Sequence, residues 1–202
     1  KNMEKENKLE LRMMGLVPYN ISPIQQAIQF GHAVVEYGQN MRRLGEHNQS
    51  LNKQYDDWAD NWKTFIILNG GTSNHSQNRY HSEGDFTGSM EKNGADLIAN
   101  EIEIATFYEP DLNDMLSAIV FIVDERVFNK EKYPDFDLKP FYGEERLKLS
   151  EIYLDPMNPK FPNKYSLIGN THVKPEWDKW VESIGGRKNL FLRLFLKNFR
   201  LA

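Results

Sequence analysis

The sequence predicts an α/β fold: a mixed sheet of about four core strands with crossover helices packed on it, followed by a C-terminal extension. Three observations predict it. Short runs rich in Val, Ile, Leu and Phe alternate with helical stretches in the order strand, helix, strand, helix, strand, strand, as layered sheets with crossovers require. One helix start, at Ser22, carries complete capping chemistry. The 202 residues are 40% hydrophobic and 12% aromatic, enough for a packed core, yet no run approaches the ~18 apolar residues of a membrane span.

Leu9–Val17 is short and mostly apolar, a buried strand that Pro18-Tyr19-Asn20 ends. Ser22-Pro23-Ile24-Gln25 then places an N-cap serine before a first-turn proline, with Gln25 three residues after the cap. Ile24, Ala27, Ile28, Gly31, Val34 and Val35 follow helical spacing and predict the face that packs on the sheet. Ala27, Gly31 and Ala33 are small enough for close packing there. Gln25, Gln29, His32 and Glu36 lie off that stripe.

Tyr55, Trp58 and Trp62 predict a short helix leading into a strand over Lys63–Leu68. Asn69-Gly70-Gly71-Thr72-Ser73-Asn74 reads as a sharp turn opening a long polar loop over 70–87. A helix over Met90–Asn100 comes next. In Glu101–Phe107 the alternation of Ile102 and Ile104 predicts a strand with one buried face. The polar turn Tyr108–Asn113 separates it from a buried strand over Leu116–Val123, and Glu125–Phe128 starts a turn or helix.

The chain divides into a core over 1–128 and an extension over 129–202. The extension is rich in proline and aromatics, among them Tyr133, Pro134, Phe136, Pro140, Tyr142 and Phe161, and reads as an extended segment draped over the core. Its end returns to helix. Trp177, Trp180, Val181 and Ile184 share a face, Gly185-Gly186 stop that helix, and a last one holds Leu190–Leu196. Arg187, Lys188, Arg193, Lys197 and Arg200, with no acid, give the final segment +5. Arg193, Lys197 and Arg200 fall on one ridge by helical spacing. Packing against the body or a second subunit is the simplest use of these helices, so a homo-oligomer formed through them is expected.

The whole chain carries −4 at pH 7, so there is no global electrostatic case for nucleic acid. It lacks cysteine, which removes disulfides, thiolate catalysis and Cys-ligated zinc. Lys1–Lys8 is polar, with no apolar segment behind it, so a soluble cytoplasmic protein away from membranes is expected. Glu36 at i+4 from His32 leaves a metal site incomplete, and His75 and His81 have no ligand spacing; no metal and no cofactor are expected.

Three polar stretches are candidates for a ligand site. The helix start at Ser22 and Gln25 is either an ordinary cap or an anion site made by amides and the helix dipole, the latter favoured if Arg12, Lys63 or Arg79 lies near. Gln29 and His32 follow on the same helix, His32 being either structural or a ligand-facing donor. Asn69, Gly70, Gly71 and Thr72 are either a plain turn or a backbone nest for phosphate with neutral donors beside it. Glu109, Asp111 and Asn113 sit at a strand end, where open α/β sheets hold ligands. They suit acid–base work or bonds to ribose hydroxyls, or they form a simple Asx-type turn.

With the order of elements, Ile28-Gln29-Phe30-Gly31-His32-Ala33 resembles the Ala-Gln-x-x-His-Ala pattern on the first helix of the type 2 peptidyl-tRNA hydrolases. The resemblance covers about residues 8–124, with insertions around 45–60 and 70–88. It implies that family's fold and, as an activity, cleavage of the ester of peptidyl-tRNA, with Glu109, Asn113 and His32 as catalytic residues and tRNA as partner. The family's lysine four residues before the motif glutamine is Gln25 here. Its aspartate and threonine in the turn before the last strand fall at Glu109 and Asn113. These departures, with the acidic balance, point to a non-enzymatic binder on the same scaffold. Its ligand is a small nucleotide-like or phosphate-bearing compound; a phage protein that sequesters a nucleotide immune signal is one concrete version. A structural or interaction protein is a further alternative.

Overall fold

In the computed structural model, the described residues are 8–46, 49–73, 88–137, 152–153, 165–166 and 173–202. They form two units, one of residues 1–125 with 199–202, the other of 126–198.

The first unit is built on β1 (Leu11–Pro18), α1 (Pro23–Gly45), α2 (Gln49–Asp57), β2 (Thr64–Gly71), α3 (Ser89–Ala99), β3 (Ala105–Glu109) and β4 (Met115–Asp124). The four strands make one mixed sheet in the order β2-β1-β4-β3. β1 and β2 are parallel, and β4 runs antiparallel to both β1 and β3. The α/β class and the four-strand mixed sheet thus match the expectation. β4 is buried along its whole length, as the central apolar run Leu116–Val123 requires. Chain residues 199–202 return to the outer edge of β2: Asn69 donates its amide to Arg200 O at 2.9 Å, and Ala202 to Ile67 O at 3.0 Å. That pairing covers one edge of the sheet.

Strand alternation divides the core. One face buries Met13, Val17, Ala118, Val120 and Ile122 under α1, with Trp58 completing the cluster. On the other, Gly70 and Gly94 let α3 close in: a Cβ on Gly70 would meet Met90 Sδ at 2.3 Å, and one on Gly94 would meet Ile119 Cδ1 at 3.2 Å.

The buried face of α1 differs from the expected one. Phe30, Ala33, Tyr37 and Met41 pack on the sheet, together with Gln29, while Ile24, Ile28 and Val35 are exposed, as are Ala27 and Gly31. The helix is apolar on two sides, and the bulkier set takes the core because β1 provides a seat for it. A Cβ on Gly15 would lie 2.2 Å from the Phe30 ring, so the glycine makes the space that the ring fills.

Three boundaries also shift. β2 runs on through Gly71, because Asn69-Gly70-Gly71 stays paired with the end of β1 (Pro18 opposite Gly71). β3 begins at Ala105: Ile102 is buried, but it and Ile104 lie ahead of the strand. The helix before β2 is α2 followed by a wider turn over Trp58–Trp62. The cap at Ser22 is as expected, with both halves of the capping box formed. Most of the polar loop, including Arg79, His75 and His81, lies outside the described residues.

The second unit begins within the single-turn α4 (Glu125–Phe128) and includes the two-residue pair β5 (Ile152–Tyr153) and β6 (Tyr165–Ser166), α5 (Lys174–Ser183) and α6 (Arg187–Phe195). Gly185 and Gly186 link the helices at φ +94° and +86°, a left-handed region that suits glycine. Here the expected basic ridge does not form. Helix α6 gives way to a tighter turn over Leu196–Asn198, so Arg200 leaves the helical register. Arg193 is fully buried and donates to the carbonyl oxygens of Arg126 (2.8 Å) and Tyr133 (2.5 Å). The carbonyls of a single-turn helix and of the turn after it lack enough donors of their own, and a guanidinium supplies several in a fixed fork. Trp180 joins the same segment, donating Nε1–H to Pro134 O at 3.0 Å and packing with Trp177 and Phe136. The remaining Pro- and aromatic-rich positions from Pro140 to Pro162, apart from the β5 residues, lie outside the described residues.

Among the described residues, no helix is long and apolar enough to cross a membrane.

Candidate functional site

Parallel β1 and β2, with β4 reversed between β1 and β3, bring the start of α1, the end of β2 and the β3–β4 turn to one end of the sheet. The two edge strands stand three strand spacings apart there, about 14 Å. The expected residues therefore divide into two groups at that end.

The first group is bonded together. Gln29 is buried on α1 and tied at both ends of its amide. Its Nε2 donates to Glu109 Oε2 at 2.5 Å, and its Oε1 lies 2.9 Å from the Ser117 hydroxyl of β4. Ser117 Oγ is also 3.1 Å from Phe107 O, and its one proton serves one acceptor at a time. Glu109 caps the short turn Pro110–Leu112 by accepting the Asp111 amide on Oε1 at 3.3 Å. Each carboxylate oxygen thus holds one donor and keeps further acceptor capacity. His32, one turn beyond Gln29, is exposed and stacks on Phe107, ring centroids 4.5 Å apart and planes 16° from parallel. Asn113 is exposed and left-handed (φ 56°) where the turn swings into β4.

Of the capping residues, Gln25 sits one turn and Ser22 two turns before Gln29. Ser22 Oγ accepts the Gln25 amide at 3.3 Å, and Gln25 Oε1 accepts the Ser22 amide at 3.0 Å. Gln26 donates its side-chain amide to Pro18 O, which fixes the helix start to the end of β1. Pro23 has no N–H, and the Gln26 amide goes to Ser22 O, so the cap and the helix itself use most first-turn donors. Arg12 and Lys63 flank the opposite end of the sheet: Arg12 is opposite Thr64 in register and pairs with Glu10 at 2.7 Å.

The second group, Asn69 to Thr72, serves α3. Asn69 Oδ1 accepts the Gly71 amide at 2.9 Å, and Ser89 Oγ accepts the Thr72 amide at 2.7 Å. Gly71, at φ +92°, would place a Cβ 2.0 Å from Ser89 Oγ. The amides a phosphate nest would offer are thereby engaged. Ser73 donates to Glu91 Oε1 at 3.1 Å, and Asn93 to Gly70 O at 3.1 Å.

Ser117 and Phe107 are not among the residues expected at the site from sequence. Ser117 did carry a signal: a lone hydroxyl inside the apolar run Leu116–Val123 must find a partner when buried. Phe107 carried none, since its role depends on where α1 lies. Among the described residues, no group of three or more His, Cys, Asp or Glu could hold a metal ion. No protein-family model, curated protein or solved structure matches the chain.

Proposed function

We propose that the chain binds a small nucleotide-like ligand without turning it over, using the group around Gln29, Glu109 and His32. The observation that supports this is the Glu109 carboxylate, held by two N–H donors beside an exposed His32 that stacks on part-buried Phe107. A carboxylate with both oxygens oriented and acceptor capacity remaining suits a pair of sugar hydroxyls. An adjacent flat face suits a ring. Both Glu109 oxygens are already engaged by N–H donors, and Gln25 stands in place of a cation, which favours binding over hydrolysis of peptidyl-tRNA.

The test is thermal unfolding against a panel of nucleosides and nucleotides, beside a hydrolysis assay on peptidyl-tRNA. The expected result is stabilisation of about 2.7 kcal/mol at a hundredfold excess over Kd, lost in Glu109→Ala and in His32→Ala, with peptidyl-tRNA left intact. Cleavage of peptidyl-tRNA that disappears in Glu109→Gln would replace this reading with the enzyme. Silence in both assays would leave a structural or interaction role.

A further inference from the structure

We infer that the outer face of α1 is the contact through which two copies of this chain pair antiparallel about a two-fold axis. Ile24, Ile28, Gly31 and Val35 recur at i, i+4, i+7 and i+11, one stripe along the helix. Ile24 is 75% exposed, Ile28 51% and Val35 62%. Nothing lies within 4 Å of a Cβ built on Gly31. The stripe sits within Met13–Val35, 23 consecutive residues with no Asp, Glu, Lys or Arg in a chain that is 27% charged. Depletion of charge marks the centre of protein interfaces, and a helix that lies on lipid carries Lys or Arg beside its apolar face instead.

The order of sizes selects a second copy as the occupant. Turned end for end, the stripe matches itself: Ile24 falls opposite Val35 of the other copy, and Ile28 opposite its Gly31. Ile28 then meets the gap at Gly31, while Ile24 packs beside Val35, which lets the two helices approach closely at the middle of the stripe. A two-fold contact must be self-complementary in this way. The same register brings Glu36 beside the first turn of the other copy's α1. That turn has no acid of its own and carries the positive end of the helix dipole. The other helix expected to pair, α6, already buries Asn189–Phe195 within the chain. Gln29 and His32 lie off the stripe, so pairing and ligand binding are tested separately.

Sedimentation of the full chain over roughly micromolar concentrations, the range of a small helix–helix contact, reads the pairing. The mass is expected to rise from 23.7 kDa toward twice that value. Ile28→Asp is expected to weaken association more than about tenfold. Gly31→Leu, for which the single subunit has room, is expected to do the same while leaving circular dichroism and melting temperature at or above those of the parent. Because the chain has no cysteine, Ile24→Cys and Val35→Cys report the register. Mixed under oxidising conditions they are expected to cross-link to each other, and neither to itself. A parent that stays monomeric, a dimer that survives both Ile28→Asp and Gly31→Leu, or self-linking of Ile24→Cys would each overturn the proposal.

Discussion

Each unit buries one long polar side chain that ties distant segments together, and the two differ in what they leave open. In the first, uncharged Gln29 joins α1 to Glu109 and Ser117 and stands beside exposed His32. In the second, Arg193 is spent inward: its guanidinium holds the Arg126 and Tyr133 carbonyls, approaches Asp135 to 3.2 Å and packs against Trp180. Its two terminal nitrogens are committed to groups of the same unit, and Nε is left without a hydrogen bond among the described residues. A neutral amide orienting a carboxylate can hold that carboxylate ready for a further donor. Buried polarity is therefore closed inward at Arg193 in one unit, while at Gln29 in the other it borders a carboxylate with acceptor capacity remaining.

The largest effect that tests this contrast is at Arg193. Arg193→Met leaves two carbonyls without their donors, while Asp135 keeps Lys130 and Lys197, at an expected cost of about 3 kcal/mol. Urea unfolding, followed by the fluorescence of Trp177 and Trp180, would read it. A loss below about 1 kcal/mol would mean that the guanidinium merely fills space.

Gln29→Leu comes next. It conserves much of the volume but strips the bond from Glu109 and the acceptor from Ser117, at an expected cost of about 1–2 kcal/mol. Ligand-induced stabilisation is expected to fall with it, since Glu109 is no longer held in place. Loss of stability with undiminished ligand response would show that the glutamine, like Arg193, is purely structural.

The smallest effect is the acid sensitivity of Asp135. Burial pushes its carboxyl up, but bonding to Lys130 and the charges of Lys197, Lys130 and Arg193 outweigh this and hold it below its ordinary value. Its native form thus binds protons less readily than the unfolded chain. The group adds stability above roughly pH 4, and this is lost as pH falls through the depressed native value. Asp135 is 34% exposed, so solvent screening keeps the contribution below about 1 kcal/mol. Asp135→Asn is expected to flatten the decline in stability below pH 4, while Glu10→Gln, which removes an ion pair in the other unit, serves as the comparison. Equal acid slopes in both variants would remove any distinction between the two charge clusters.

Local chemistry determined a good deal. The capping box at Ser22 and Gln25 forms because all its atoms lie within one helical turn. The α/β order and the buried β4 follow from runs of apolar residues that cannot remain in water. His32, Glu109 and Asp111 could be named as candidates from residue type and position, and Gln29 from the resemblance of its helix to a family motif. Tertiary packing decided the rest. The face that α1 buries depends on the space above Gly15, a feature of another element. The Asn69–Thr72 stretch, turn-like in isolation, was drawn into β2 by pairing with β1 and committed to α3. Arg193 sits on an apparently basic ridge, but it is buried because carbonyls some sixty residues away need its donors. Periodicity reports that a helix has an apolar side; where two such sides compete, only the surfaces of other segments choose between them.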